Sequence, residues 1–204
     1  MPMQNNMDQE QRIVAAAKEL FIRKGFGQTS MSDIAEAAGI TRPALHYYFR
    51  TKEKMFQAVF GGIIQTLVPE MEGILKDGSP AIEKLSRLAD MYISIFLAEP
   101  SLPVFIVLEI QRDAGHLLET ASSLDMGRHA ACLVSYFRDE MEKGNIRQVP
   151  IYAIFYTFFG LLAYPFLTRN LAERVFFGPP DDFEAVIRSW KPYVMKQLET
   201  LLSC

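Results

Sequence analysis

The stretch Thr29-Ser-Met-Ser-Asp-Ile-Ala-Glu-Ala-Ala-Gly-Ile-Thr-Arg-Pro-Ala-Leu-His-Tyr-Tyr-Phe-Arg-Thr-Lys-Glu-Lys-Met-Phe56 sets two helix starts around one tight turn. Ser30 and Asp33 have the spacing of a capping box, in which each side chain satisfies a backbone N–H that the first helical turn leaves orphaned. Gly39 stops the helix that follows. Thr41 then offers a second N-cap, with Arg42 and Pro43 in the first turn, where a missing proline N–H costs little. Two short helices across so tight a turn are expected to form a helix-turn-helix, whose second helix lies in the major groove of DNA.

At about 100° per residue, Ala44, Leu45, Tyr48 and Phe49 share the inward arc of that second helix, and Arg42, Pro43, His46 and Tyr47 the outward one. Arg42 can donate in bidentate fashion to guanine, and Pro43 or Ala44 can touch a thymine methyl. Lys52, at the start of the next helix, is expected to meet a phosphate.

Outward from this segment the chain reads as helices throughout, about nine in all, with no strand alternation. Ile13, Ala16, Ala17, Leu20 and Phe21 form an apolar stripe on a first helix that Gly25 can close. Further helices are expected over 54–76, 81–98, from about 103 to 112, from about 124 to 143, over the charge-free stretch, and over 182–202. Asp77-Gly-Ser-Pro80, Glu99-Pro-Ser-Leu-Pro103, Gly144-Asn145 and Phe177-Gly-Pro-Pro-Asp181 supply the breaks. The fold class is all-α: a helix-turn-helix domain over 1–53 and a second helical domain over 54–204.

Composition narrows the function. Half of the 204 residues are hydrophobic and 22% charged, the balance of a folded globular chain. The net charge of −3 excludes a basic coat for nucleic acid, although residues 1–60 carry eight basic against six acidic side chains. Cys132 and Cys204 have no metal-ligand or disulfide spacing, and a reducing cytoplasm fits them. The polar, acidic start lacks the features of a secretory signal.

From Gln148 to Thr168 no residue is charged, long enough for a membrane span. Pro150, Pro165 and several tyrosines favour a helix buried in protein. His116 and His129 have no partners at ligand spacing, and no catalytic fingerprint occurs, so no metal, cofactor or catalytic residue is assigned. Glu109 and Arg112, on an otherwise apolar helix, read as a solvated pair or as groups orienting a polar ligand.

The quoted segment resembles the DNA-binding signature of the TetR family of regulators. The Asp-Ile-Ala core, the Ala-Gly turn, the Thr cap, the Leu-aromatic-x-aromatic-Phe block and the Lys-Glu-x-x-Phe helix start carry the likeness, over about a quarter of the chain. His46 stands where members usually have tyrosine. The resemblance implies DNA contacts from Ser30, Ser32, Thr41, Arg42, Pro43, Ala44, His46, Tyr47, Tyr48 and Lys52, and a homodimer on a palindromic operator. It also implies a ligand-responsive second domain whose effector releases the protein from DNA, and the excess of Phe, Met and Tyr behind the first domain points to a small apolar or aromatic effector.

Pocket candidates are Phe96, Phe105, Leu108, Met126, Tyr136, Tyr156 and Phe159, since Met and aromatic walls adapt to apolar ligands. Ala153, Thr157, Gly160 and Ala163 lie on nearly one face of the charge-free helix and are expected to form a dimer interface, with Phe155, Phe159, Leu162 and Phe166 covering the core. A helical carrier or enzyme, and a membrane-associated adaptor, are the competing readings.

Overall fold

The computed structural model describes residues 2–123, 126–178 and 182–203. Among these the chain forms ten helical elements: α1 (Pro2–Gln28), α2 (Met31–Ala37), α3 (Arg42–Tyr48), α4 (Lys52–Lys76), α5 (Ala81–Ala98), α6 (Leu102–Ser123), α7 (Met126–Glu142), α8 (Ile151–Leu167), α9 (Arg169–Val175) and α10 (Phe183–Leu202). The all-helical expectation holds, and the additional element is α9. Two of the helices are broken internally, α1 at Gly25 and α6 at Asp113.

The chain divides into two compact units, Met1–Thr66 with Val104–Met126, and Leu67–Pro103 with Gly127–Cys204. In the first, the expected stripe of α1 is buried except for half-buried Ala16: Ile13, Ala17 and Phe21 are fully enclosed and Leu20 nearly so. Ile34 of α2, Leu45 of α3, Met55 and Phe56 of α4 and Phe105 of α6 are likewise without appreciable exposure. Phe56 is central to this core, with ring centroids 5.4 Å from Phe21, 5.1 Å from Phe26 and 6.0 Å from Phe105. Burying each such ring contributes about 1.5–3 kcal/mol, so the short α2 and α3 are held by packing that neither sustains alone.

The second unit is built on α5, α8 and α10, which pack on one another. Ile154, Phe158, Leu162 and Phe166 turn the buried side of α8 inward. That register corrects part of the expectation, because Phe155 and Phe159 are only half-buried while Ile154 and Phe158 take the enclosed positions. Trp190 of α10 ties the layers together by donating its indole N–H to the Leu161 carbonyl at 2.9 Å. α8 begins after Pro150 and ends at Thr168, whose hydroxyl donates back to the Tyr164 carbonyl at 2.9 Å. Among the described residues no single helix is long and apolar enough to cross a membrane.

Candidate nucleic-acid interface

The start of α2 is closed by the capping box: the Asp33 amide donates to Ser30 Oγ at 3.1 Å and the Ser30 amide to Asp33 Oδ2 at 2.9 Å. These bonds hold the Asp33 carboxyl below the usual carboxylate range, the Ser30 backbone contact contributing most. At the other end of α2, the amides of Gly39 and Ile40 return to the carbonyls of Glu36 and Ala35. Gly39 supplies the left-handed conformation this stop requires, at φ 67°. Thr41 then caps α3 by accepting from the Ala44 amide at 3.4 Å.

The faces of α3 fall as the 3.6-residue period dictates. Leu45 and Phe49 are buried, Ala44 and Tyr48 half-buried, and Arg42 and Pro43 exposed. Tyr47 is 77% exposed, its ring set edge-on against Tyr48 at 5.3 Å. His46 is half-buried, and its Nδ1 donates to the Arg50 carbonyl at 3.2 Å, which orients the ring along the end of α3. Ser30, Ser32, Arg42 and Lys52 come together around a shallow cleft with Gln28 and Thr29. Lys52 also has an internal role: its Nζ donates to the Phe26 carbonyl at 2.9 Å and lies 4.3 Å above the Phe26 ring.

Sequence reasoning missed the support behind this surface. Glu109 is only 3% exposed, which overturns the solvated reading of that residue. Its carboxylate accepts from the Phe26 amide at 3.2 Å and from Arg112 at 3.0 Å. The available signal was a carboxylate on an apolar helix face, since a charge there is tolerated only when paired.

The regulatory candidates are spread over both units. Phe105 is buried and Leu108 half-buried in the first. Phe96, Tyr136, Tyr156 and Phe159 belong to the second, and the side chain of Met126 lies outside the described residues. Phe159 joins Leu85, Leu88, Tyr92, Leu133, Phe137 and Phe158 around a narrow apolar hollow. Burial pushes the Tyr92 hydroxyl up to about 12, so it stays neutral there. The Tyr136 hydroxyl is buried with no hydrogen-bond partner among the described residues, at a separate polar cleft. Tyr156 is 77% exposed and lines neither hollow nor cleft. On α8, Gly160 is exposed and Ala153, Thr157 and Ala163 half-buried.

Residues 13–59 match the family model described as bacterial regulatory proteins of the tetR family. The fatty acid metabolism regulator protein of Bacillus subtilis is 23% identical over 67% of this chain and 70% of its own length. Residues 13–59 are a DNA-binding domain of the TetR family. The HTH-type transcriptional regulator TtgR of Pseudomonas putida is 38% identical over 27% of this chain, a match spanning 26% of TtgR. A solved structure described as FadR from Bacillus subtilis in complex with stearoyl-CoA superposes with a TM-score of 0.66 at 20% identity, covering 91% of this chain and 97% of that one. At that identity the superposition speaks for the fold. The chain is a DNA-binding transcriptional regulator, and the family its first domain matches is one of regulators rather than enzymes.

Proposed function

We propose that the chain is a homodimeric repressor that reads a palindromic operator with α3 and is released from it by a small apolar or aromatic molecule. Residues 1–53 read DNA, and residues 54–204 hold the effector and the second protomer. The observation that carries this reading is the outward face of α3, where Arg42 and Tyr47 stand exposed on a helix fixed by two side-chain-capped starts. One helix of seven residues reads few base pairs. Two copies about 34–36 Å apart give the specificity that one lacks, which supports a two-fold protein on a two-fold site. DNA as the partner places the protein in the cytoplasm.

The aromatic hollow among α5, α7 and α8 supports an apolar effector. It is too narrow for one as it stands, so binding must push rings such as Phe155 and Phe159 aside and open it. The complex of the similar FadR with stearoyl-CoA makes a fatty acyl thioester the first compound to try.

Sheared genomic DNA is passed over the immobilised protein and the retained fragments are sequenced. A palindromic consensus is expected, bound more tightly than its scrambled counterpart at every salt concentration. Arg42→Ala is expected to cost about 1–3 kcal/mol and to relax preference at one position per half-site. Equal affinity of the wild type for consensus and scrambled duplexes would sink the reading. Stearoyl-CoA is then titrated with and without the consensus duplex. Release requires that each weaken the other by the same factor.

A further inference from the structure

Phe26 lies just past the Gly25 break, in the last turn of α1 before α2, and is held by its backbone and its ring at once. Its amide donates to Glu109 at 3.2 Å, and its carbonyl accepts from Lys52 Nζ at 2.9 Å. Its ring stacks on the His116 imidazole at 4.1 Å and lies beneath the Lys52 ammonium at 4.3 Å. Glu109 and His116 come from α6, and Lys52 from α4.

The Glu109 side chain is 5% exposed, and a carboxylate withdrawn so far from water persists only where donors replace its hydration. The Phe26 amide and Arg112 are those donors. Just before Phe26, Gly25 turns the chain at φ 80°, and a Cβ there would come within 1.7 Å of Arg112 Nη1. Four residues beyond Phe26, Ser30 opens α2, and α2 leads into α3 through the Gly39 turn. The backbone that aims the DNA-reading helices is therefore fastened by a buried charge 83 residues away in sequence.

We propose that Glu109 is a positioning residue for DNA recognition: by holding the Phe26 amide, it makes α6 the support that fixes where α2, and through it α3, is presented. The inference rests on α3 being the DNA-reading helix. Glu109 needs no contact with DNA for this.

Two variants of the full chain separate the possibilities. Glu109→Gln keeps an acceptor for the Phe26 amide but loses the charge and the Arg112 pairing, whereas Glu109→Leu loses both. Amide exchange is followed without DNA, and affinity for the consensus duplex retained by the wild type is measured across a salt series. Glu109→Leu is expected to speed exchange at Phe26 and through α2 and α3, and to weaken the duplex by about tenfold or more. Glu109→Gln should fall between it and the wild type. The slope of affinity against salt should stay that of the wild type, because no phosphate contact is removed.

Unchanged exchange at Phe26 in both variants overturns the hold itself, whatever the DNA result. Faster exchange with unchanged duplex affinity, or a loss fully accounted for by a lower melting midpoint of the whole chain, overturns its role in recognition. Should the wild type retain no specific duplex, the failure lies with the DNA-reading assignment, and exchange at Phe26 still decides whether Glu109 fastens the turn.

Discussion

Asp33 shows how much of a helix start rests on one ionised group. Its carboxylate accepts from Ser30, and its pKa lies below the ordinary carboxylate value chiefly because of that backbone bond. The stabilisation it brings is complete above the ordinary value and drains away as pH falls through the lowered folded one. The melting midpoint of the wild type is therefore expected to exceed that of Asp33→Asn near neutral pH, and the two to converge in acid. A gap that persists unchanged at the lowest pH would show that the charge is not the source. Residues of this kind were legible from sequence because their partners lie three positions away. Lys52, His46 and Glu109 were not, since they engage main-chain groups of Phe26 and Arg50 that no side-chain pattern announces. Arg42 and Tyr47 were placed on the outward arc by helical period alone, and the structure has them exposed.

Between elements, the corner from α4 to α5 is an instance of a stop that could be read and a fastening that could not. Asp77-Gly-Ser-Pro80 marks the break plainly, and Asp77 accepts from the Ser79 amide at 3.0 Å and from Arg87. What holds the corner is Lys84, 5% exposed, whose Nζ donates to the Leu75 carbonyl at 2.8 Å while lying 4.5 Å from the Tyr136 ring centroid. Removing it leaves a carbonyl near the end of α4 without its donor. Lys84→Ala is expected to lower stability by about 1–3 kcal/mol in urea unfolding, and a change under about 0.5 kcal/mol would count against the fastening. Element boundaries set by Gly and Pro came through well. The break inside α6 did not, because Asp113 acts as an internal cap, accepting from the His116 amide at 3.0 Å, and an aspartate within a helical stretch has no signature of that role. α9 was missed because its seven residues bury none of their side chains and so leave no periodic stripe.

At the scale of the whole molecule, large side chains stand exposed on α8, α9 and α10. Tyr156 is 77% exposed on α8, Leu171 57% on α9 and Tyr193 65% on α10. Apolar surface of this kind marks an interaction site more often than it marks neglect. A second protomer is the occupant we propose, and one chain's sequence shows only half of such an interface, which is why small residues on one helix face were the whole of its signal. A Cβ built on Gly160 meets nothing within 4 Å, so Gly160→Leu should leave the fold of a single chain intact. It is expected to separate the protomers in sedimentation velocity through overpacking at the face, and an unchanged sedimenting species would place the contact elsewhere. The same face carries its own optical probe. Trp190 is the chain's single tryptophan, half-buried, bonded to the Leu161 carbonyl and stacked at 5.7 Å on exposed Tyr193. Excited selectively, its fluorescence reports the polarity of this surface and nothing from the DNA-reading end, so dilution that parts two protomers should shift its emission to the red while operator titration of an intact pair leaves the band where it was.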